Sequence, residues 1–518
     1  MEKINNLGAP ISVNSIKRNL SSDELRSLAK KDEVRTEYDS PSYISKIKSR
    51  SAKFTEIIYS TNPDGFSERE PGTGDQPNEA QTKIIKDVNE FMKTRKMICV
   101  DRLMCQTPDI KVHCRTFVTT DFARIAYMWN ETLFPIKVSE DKVADSTVID
   151  VPEWPERKVL VLPKLQLTYV LGTDYFGEIK KANLRMGMYL AKKKGWLGLH
   201  AASKLIRVND VTGKMVEKGV IIFGLSGTGK TSLSCHHHGL TKPEGITIRQ
   251  DDVIFMRPDA RCYGTENNFY LKTEGLSIKD QPLLYKGATS PNAILENVYV
   301  SPEGKVDFFN DSLTSNGRGI VRRSELVPYT DNDINLAKAD VVIFLTRRND
   351  IVPPVVKLTP EQGSAFFMLG ESVETSAGDP TQAGKSLRVV GTNPFIIGPA
   401  EEEGNWFYEM LKANPQVECF VMNTGRVGGV KGEKITVIDS SEIMKQIVRG
   451  GIKWKIDTDW AYQVPSEVDG INVERFDPFH FYSQDEYREL VKKLRTERKD
   501  WLSKFTGLAP RIKNVISN

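Results

Sequence analysis

Cysteine is scarce in this sequence, which has six cysteines among 518 residues and no CxxC pair. So few thiols, without paired spacing, exclude the disulfide framework of a small secreted domain. Long apolar runs are also missing, because stretches such as 341–345 (VVIFL) are much shorter than the roughly 18 residues needed to span a bilayer. These two absences predict reduced thiols and no membrane as partner.

An excess of charge of one sign is absent as well. The chain has 72 Lys and Arg against 68 Asp and Glu, a formal net charge of +4, so its charge does not argue for a nucleic acid or a membrane surface as partner. The first residues, MEKINNLGAPISVNS, lack the charged and then apolar pattern of an export signal, so we expect a cytoplasmic protein. With 39% hydrophobic residues the composition is that of a globular protein, and enzyme is the default class.

The length predicts about three domains or two large ones. In the first part, apolar spacing predicts helices and short strands in a mixed α+β arrangement, with helices near 79–96, 121–133 and 178–194. The second part alternates strands and helices in a way that fits a nucleotide-binding α/β unit elaborated with antiparallel strands. A strand is expected over 198–208, and a charged surface helix without chemistry of its own over 483–505.

A phosphate-binding loop is the strongest single motif. The segment GLSGTGKT fits G-x-x-x-x-G-K-[ST], follows the apolar strand GVIIF and precedes a helix-compatible run over 232–238. Glycines at these positions let successive backbone N–H groups converge on phosphate oxygens. We expect Lys230 to bridge the β- and γ-phosphates and Thr231 to place its hydroxyl on Mg²⁺. The predicted nucleotide-binding loop consists of Gly224, Leu225, Ser226, Gly227, Thr228, Gly229, Lys230 and Thr231.

Two adjacent carboxylates, Asp251 and Asp252, end the β-type segment GITIRQDD about twenty residues after the loop. A P-loop enzyme needs an acid at the end of a neighbouring strand to hold its divalent cation. The residues alone therefore predict a protein that binds a nucleoside triphosphate together with a divalent metal.

Further short motifs occur in the order found in ATP-dependent phosphoenolpyruvate carboxykinases, which this sequence resembles over roughly residues 110 to 450. They are YFGEIKK (175–181), GLH (198–200), ENV (296–298), VDF (306–308), NGR (316–318), PP (353–354), LTPEQ (358–362) and NTG (423–425). The resemblance implies an α/β fold with two domains. These would be an α+β substrate-binding domain over 1–205 and a P-loop nucleotide-binding domain over 206–518, with a mobile lid near 369–394.

The resemblance also implies a reaction and its participants. The reaction is oxaloacetate plus ATP to phosphoenolpyruvate, CO₂ and ADP, with Mn²⁺ and Mg²⁺ as cofactors and small molecules as partners. The family pattern implies Mn²⁺ ligands at Lys181, His200 and Asp252, and a Mg²⁺ ligand at Thr231. It implies phosphate-binding lysines at Lys180 and Lys230, and an arginine near the transferred phosphoryl group at Arg318. Catalytic or substrate roles are implied for Arg50, Tyr175, Gly177 and Ser226, and nucleotide contacts for Lys272, Glu296, Arg318, Lys434 and Ser440.

The chemistry agrees with these residue types. Decarboxylation of a β-keto acid leaves an enolate, whose oxygen then attacks the γ-phosphate, so a divalent cation near both groups serves as Lewis acid and template. Arginine suits the transferring phosphoryl group, because its planar guanidinium can bind two oxygens at once. A lysine ligates a metal only when neutral, and the cation together with the Lys180 ammonium would lower the pKa of Lys181.

Other hypotheses remain open from the sequence. Two glycines of the family motif are replaced by Asn267 and Asn268. The arginine and the threonine that usually lie near the nucleotide base are replaced by Lys434 and Ser440. These departures keep a P-loop kinase with a different acceptor as the alternative, and a non-catalytic nucleotide-binding protein as a third. The triplet HHH at 236–238 does not predict a metal site, because consecutive residues on a helix point in different directions.

Overall fold

The computed structural model describes residues 15–48, 51–59, 76–139, 142–225, 227–373 and 386–516. The chain forms two compact units. The N-terminal unit comprises Met1–Lys194, Thr265–Leu326 and Phe395–Pro399, and the C-terminal unit comprises Gly195–Gly264, Val327–Pro394 and Ala400–Asn518. The units therefore do not follow a single boundary at residue 205, because a segment beyond the phosphate loop returns to the N-terminal unit.

Five helices of the described residues begin at a reciprocal polar cap. Asn78, for example, accepts a hydrogen bond from the N–H of Gln81, whose side chain bonds back to Asn78. This reciprocal capping satisfies two N–H groups that a helix start leaves without partners. The helices are α1 (Ser22–Ala29), α2 (Glu79–Lys93), α3 (Ala123–Thr132), α4 (Phe176–Lys193), α5 (Lys230–Cys235), α6 (Pro282–Ala288), α7 (Pro360–Leu369), α8 (Ala400–Ala413), α9 (Val437–Arg449), α10 (Gln484–Ser503) and α11 (Pro510–Asn514).

The strands are short, and most are largely buried. In chain order they are β1 (Ile16–Arg18), β2 (Val34–Arg35), β3 (Pro41–Tyr43), β4 (Thr55–Ile57), β5 (Met97–Met104), β6 (Val112–Thr119), β7 (Ser146–Val151), β8 (Lys158–Leu162), β9 (Leu167–Leu171), β10 (Leu197–Leu199), β11 (Ala201–Asn209), β12 (Met215–Phe223), β13 (Gly245–Gln250), β14 (Ile254–Met256), β15 (Cys262–Gly264), β16 (Phe269–Lys272), β17 (Ile294–Glu296), β18 (Tyr299–Val300), β19 (Val306–Asp307), β20 (Arg318–Val321), β21 (Val341–Thr346), β22 (Val355–Leu358), β23 (Glu371–Val373), β24 (Ser386–Arg388), β25 (Glu418–Asn423), β26 (Arg426–Val427), β27 (Glu433–Lys434), β28 (Ile452–Ile456) and β29 (Gln463–Val468).

In its described part, the N-terminal unit contains two mixed sheets. The larger has the order β1-β5-β6-β7-β9-β8-β4, and apolar residues of α2 share a buried core with its strands. The smaller has the order β16-β20-β17-β3-β2. Strand β17 pairs in parallel with β3, so backbone hydrogen bonds join the segment 265–326 to the beginning of the chain. This pairing explains why that segment belongs to the N-terminal unit.

The C-terminal unit is organised around a mixed sheet of order β13-β11-β12-β21-β25-β22-β29-β28. Strands β12, β21 and β25 run parallel, and the remaining pairs are antiparallel. Phe223, the last residue of β12, stacks on Phe344 with ring centroids 5.0 Å apart, and Phe367 stacks on Phe407 at 4.8 Å. One member of this aromatic core, Phe223, directly precedes the phosphate loop in the chain. The predicted α/β fold class is confirmed.

Several predicted elements differ in detail. The strand expected over 198–208 is interrupted at His200, and the helix expected over 232–238 ends at Cys235, so the three histidines do not lie on a helix. Of the predicted lid, β23 and β24 form a hairpin base, while residues 374–385 lie outside the described residues. Among the helices of the described residues, none combines the length and the apolar character that a bilayer crossing requires.

Candidate active site

The phosphate loop connects the buried strand β12 to α5. Gly227 and Gly229 have φ values of 83° and 90°, a left-handed conformation that residues with a Cβ rarely adopt. At Gly224, a Cβ would lie 2.4 Å from Oγ1 of Thr228. Oγ1 of Thr228 itself donates to the carbonyl of Leu225 at 2.8 Å. Gly224 and Gly229, which the motif requires, are therefore also required by this backbone, and so is Gly227, which the motif leaves open.

Side chains from other strands hold the loop in this conformation. Nη1 of Arg347 donates to the carbonyl of Gly227 at 2.9 Å, and Oγ1 of Thr424 donates to the carbonyl of Thr228 at 2.8 Å. Arg347 follows β21 and Thr424 follows β25, and these strands lie next to β12 and to one another in parallel order. The carboxyl ends of parallel strands meet at one sheet edge, which is where such sheets bind ligands.

Lys230, His200 and Asp252 converge at this edge. Nε2 of His200 lies 3.1 Å from Oδ1 of Asp252, and Nζ of Lys230 lies 3.3 Å from that nitrogen and 3.6 Å from that oxygen. The three side chains are between 11% and 24% exposed, so they are partly shielded but open to a ligand. The structure thus places the P-loop lysine beside two of the predicted metal ligands.

Two chain crossings between sheets bring His200 and Asp252 together. His200 separates β10 from β11, and Asp252 lies between β13 and β14. Strand β10 pairs with β14 in one sheet, while β11 pairs with β13 in the larger sheet. Both segments of the chain pass from one sheet to the other at this point. His200 and Asp252, which lie between the paired strands, therefore become neighbours. A hydrophobic pattern alone does not reveal such a break of one residue.

A backbone carbonyl orients the His200 imidazole. Nδ1 of His200 lies 2.6 Å from the carbonyl oxygen of Thr392, which can only accept a hydrogen bond, so this nitrogen holds the ring proton. Burial and the neighbouring Lys230 ammonium lower the pKa of His200 below its ordinary value, which keeps the ring neutral at pH 7. The Nε2 lone pair therefore faces Asp252 and Lys230. Thr392 has a φ of 50°, an unusual conformation for a β-branched residue, and sequence analysis missed it.

The donor set at this position fits a cation. A neutral imidazole nitrogen and a carboxylate oxygen both direct electron density towards the same region, where the Lys230 ammonium lies. Fixing one ring nitrogen by hydrogen bonding to a carbonyl is also how proteins prepare a histidine for metal ligation. Within the described residues, no group of three His, Cys, Asp or Glu side chains forms a metal-ligand set. The metal-ligand roles of His200 and Asp252 stay predictions.

In the N-terminal unit, three predicted site residues lie in a row across neighbouring strands. Arg318 on β20 stands opposite Lys272 on β16 and opposite Glu296 on β17. Directly opposed residues of antiparallel strands share a face of the sheet. The row thus places these three residues on one face of the sheet.

Arg318 is held by two side chains. Its Nε donates to the hydroxyl of Tyr175 at 3.2 Å, and its Nη2 donates to Oδ1 of Asn316 at 2.7 Å. Tyr175 is fully buried, and a Cβ at Gly177 would lie 2.5 Å from two of its ring atoms. Only glycine at position 177 leaves room for the tyrosine ring in this orientation. Tyr175, Gly177 and Arg318 therefore form one packed cluster, and their substrate roles stay predictions.

Lys180 and Lys181 differ in their surroundings although they are adjacent on α4. Nζ of Lys180 lies 2.9 Å from Oε2 of Glu266, and both side chains are almost fully buried. Lys181 is half-buried. Glu266 was missed as a functional candidate, although it directly precedes Asn267 and Asn268, where the sequence departs from the family. A buried lysine retains its charge more readily beside such a carboxylate.

Glu296 is surrounded by protein groups that hydrogen-bond to its carboxylate. It is fully buried, and its carboxylate accepts hydrogen bonds from the N–H of Phe176 and the hydroxyl of Tyr270, both at 2.8 Å. Burial raises the pKa of Glu296 to about 7. The carboxylate anchors the start of α4, and its role in nucleotide binding stays a prediction.

The remaining predicted residues lie apart from these clusters or outside the described residues. In the C-terminal unit, Lys434 is exposed on β27, and the buried Ser440 donates to the carbonyl of Thr436 within α9 at 3.0 Å. Arg50 and Ser226 lie outside the described residues. The roles assigned to these four residues stay predictions.

Comparison with known proteins gives the family. A family model described as phosphoenolpyruvate carboxykinase matches residues 14–474. The phosphoenolpyruvate carboxykinase (ATP) of Aeropyrum pernix is 34% identical over 436 residues, which cover 83% of this chain and 86% of that protein. The protein of the same name from Brucella melitensis is 26% identical, covering 77% of this chain and 75% of its own, and that from Thermus thermophilus is 27% identical, covering 64% and 61%. With a phosphate loop, a histidine–aspartate pair beside its lysine and a family match over most of its length, this chain belongs to the phosphoenolpyruvate carboxykinase family.

Proposed function

We propose that this chain catalyses the ATP-dependent conversion of oxaloacetate to phosphoenolpyruvate, CO₂ and ADP. The observation that carries the proposal is the convergence of Lys230 with His200 and Asp252 within 3.6 Å. A nucleotide-binding protein needs the lysine, but the neutral imidazole and the carboxylate beside it suit a second task, the binding of a divalent cation next to the phosphates. Membership of the family favours this activity over a kinase with another acceptor.

The nucleotide is bound through the phosphate loop. Its backbone N–H groups bind phosphate oxygens, and the Lys230 ammonium neutralises charge on the β- and γ-phosphates. The γ-phosphoryl group moves from ATP to the enol oxygen of the decarboxylated substrate, and ADP leaves with the electron pair of the broken bond between phosphorus and the bridging oxygen. The C–C bond to the departing carboxylate breaks, CO₂ leaves, and its electron pair forms the enolate that attacks phosphorus. The sum of charges is the same on both sides, so no external proton is needed.

His200 and Asp252 hold the catalytic divalent cation, which we assign as Mn²⁺. The Thr392 carbonyl keeps the proton on Nδ1 of His200, so that Nε2 remains available as a ligand. When bound, the cation supplies Lewis-acid stabilisation of negative charge that develops on oxygen. The Thr231 hydroxyl, next to Lys230, is the ligand that we assign to nucleotide-bound Mg²⁺. Lys181 as a further Mn²⁺ ligand stays a prediction.

The substrate is recognised by the Tyr175–Arg318 cluster. Arg318 uses its Nε for Tyr175 and one Nη2 hydrogen for Asn316, which fixes the plane of the guanidinium and orients its remaining N–H groups. Such a preorganised guanidinium binds a carboxylate or a phosphoryl group in bidentate fashion. The contributions of Lys180, Arg50 and Ser226 to this step, and the cytoplasmic location, stay predictions.

The test is an assay of the purified full chain with oxaloacetate, Mn²⁺ and Mg²⁺, adding ATP, GTP or pyrophosphate in turn and following phosphoenolpyruvate. We expect product with ATP, loss of product in Lys230→Met, and wild-type rates in Lys214→Met, a matched change at an exposed lysine of the β11–β12 turn. Consumption of ATP without phosphoenolpyruvate, or phosphoryl transfer to another acceptor, would contradict the proposal.

A further inference from the structure

A lysine lies fully buried beneath the helix that carries Lys230 and Thr231. Lys204 on β11 has no exposed surface, and its Nζ lies 2.6 Å from the carbonyl oxygen of Leu233 in α5. The same Nζ lies 2.5 Å from Nε2 of His238. Neither the phosphate-loop motif nor the family motifs include Lys204, so the function described above gives it no task.

The histidines that follow α5 extend this contact. Nδ1 of His238 lies 2.8 Å from the hydroxyl oxygen and 3.1 Å from the carbonyl oxygen of Ser441 on α9. Because a carbonyl can only accept, the ring proton of His238 lies on Nδ1, and Nε2 accepts a hydrogen bond from Lys204. The Ser441 hydroxyl also lies 2.9 Å from Nδ1 of His236. The chain after α5 is thus tied to β11 and to α9 through polar side chains.

This lysine is buried without an acidic partner. Within the described residues, no carboxylate forms an ion pair with Lys204, whose hydrogen-bond partners are a carbonyl and an imidazole. Burial lowers the pKa of Lys204 to about 7. A buried amine without a counter-ion costs folding free energy, and an apolar residue of similar length would avoid this cost. Its presence is therefore better explained by the two hydrogen bonds that it donates.

Lys204 is connected both to the phosphate loop, through its hydrogen bond to Leu233, and to His200, through the strand β11. Leu233 accepts from Lys204 through its carbonyl and donates through its N–H to the carbonyl of Gly229 at 2.9 Å, so the contact continues into the phosphate loop. Strand β11 also begins directly after His200. Lys204 therefore ties the short helix α5 to the strand that follows the proposed metal ligand. A helix of six residues has few internal hydrogen bonds to hold its own position.

We propose that Lys204 is a positioning residue for nucleotide binding, which holds α5 against β11 so that Lys230 and Thr231 face the phosphates beside His200. The inference rests on the proposed function for its catalytic consequence, but its first effect is on ATP affinity. A small movement of α5 would matter, because displacing a catalytic group by about 1 Å can reduce a rate by as much as 10²-fold.

The experiment compares Lys204→Met with the matched control Lys214→Met. Binding of ATP in the presence of Mg²⁺ is measured by calorimetry, and KM for ATP, KM for oxaloacetate and kcat are measured separately. We expect Lys204→Met to weaken ATP binding and to raise KM for ATP by about tenfold, the size of effect seen for residues that orient the ligands of metal sites. KM for oxaloacetate should remain nearly unchanged. An unchanged ATP affinity in folded Lys204→Met would overturn the proposal.

A second pair of variants tests the contact without removing the lysine. His238→Gln keeps an acceptor for Lys204, whereas His238→Leu removes it, so we expect near wild-type ATP affinity in the first and weakened ATP affinity in the second. Equal affinity in the two variants would overturn the proposal even if Lys204→Met fails to fold. If wild type binds ATP but forms no phosphoenolpyruvate, the proposed function fails while these binding measurements still decide the role of Lys204.

Discussion

At the scale of single residues, the proposed cation site depends on which nitrogen of His200 carries the ring proton. The Thr392 carbonyl determines which nitrogen of His200 is protonated, and burial together with the Lys230 charge lowers the pKa of the ring. The Asp252 carboxylate then provides the negative charge that a divalent cation needs. A small change at any of these atoms alters the ligand set without altering the fold.

Replacing Asp252 by Asn tests this arrangement. Asp252→Asn retains the size of the side chain but removes its charge, so we expect Mn²⁺ affinity to fall by at least the 10- to 100-fold that is typical even for outer-shell changes, with loss of turnover. Mn²⁺ binding is measured by calorimetry and the fold by circular dichroism. The control is Asp259→Asn, because Asp259 forms its ion pairs with Arg257 and Arg261 and is 42% exposed. Turnover at the wild-type rate in Asp252→Asn would remove the metal assignment.

At the scale of elements, α10 is more than the surface helix that its charged sequence predicts. Arg498 on α10 lies against the carboxylate of Glu371 on β23 at 2.7 and 3.0 Å, and both side chains are only 2% exposed. Arg388 on β24 donates to the same carboxylate at 2.6 Å. One buried carboxylate thus joins both strands of the hairpin to a helix that lies beyond the residues matched by the family model.

This ion cluster is expected to stabilise the C-terminal unit. Burial alone would raise the pKa of Glu371, but Arg498 and Arg388 outweigh it and hold this pKa well below its ordinary value. Such a carboxylate stabilises the fold above the pKa of the unfolded chain and loses this contribution as the pH falls through the acid range. Glu371→Gln leaves the guanidinium groups without their counter-ion, which costs about 3 kcal/mol.

Thermal unfolding at pH 7 checks this expectation. Glu371→Gln should unfold at a clearly lower temperature than wild type, whereas Glu489→Gln, at an exposed position of the same helix, should change it little. The difference between wild type and Glu371→Gln should shrink on acidification, since protonation removes the same charge. Equal unfolding temperatures at pH 7 would contradict the proposed stabilisation.

At the scale of the whole molecule, the buried Lys204 makes the free energy of unfolding depend on pH above about pH 7. An unfolded lysine keeps its proton up to about pH 10.4, whereas the pKa of Lys204 in the folded chain is about 7. Between these values the unfolded state binds more protons, so stability rises with pH in this window and no longer changes through this group below about pH 7.

The comparison of two proteins isolates this contribution. Other titrating groups are common to wild type and Lys204→Met, so the difference between them reports on Lys204. We expect the urea midpoint of wild type to increase more between pH 7 and pH 9.5 than that of Lys204→Met. A parallel pH dependence in both proteins would show that Lys204 has an ordinary pKa in the folded chain.

Local patterns explain why much of the site could be predicted. The phosphate loop requires glycines where the backbone is left-handed and a lysine at a fixed spacing, so Gly229 and Lys230 are recognisable in the sequence alone. Asp252 is a candidate because it ends a strand that follows the phosphate loop. His200 becomes a candidate only through the family motifs, because a single histidine is common in any protein. Thr392 acts through its carbonyl, which every residue possesses, so no residue type marks it.

The sequence by itself determined the P-loop chemistry, the α/β class and the family, because these depend on short spacings and on the order of motifs along the chain. Only the tertiary structure decided that residues 265–326 join the N-terminal unit and that Lys204 lies under α5. It also decided that Thr392, which is 192 positions from His200, sets the proton on its ring. Such contacts depend on strand pairing and on side-chain burial between distant segments, and local periodicity carries no information about either.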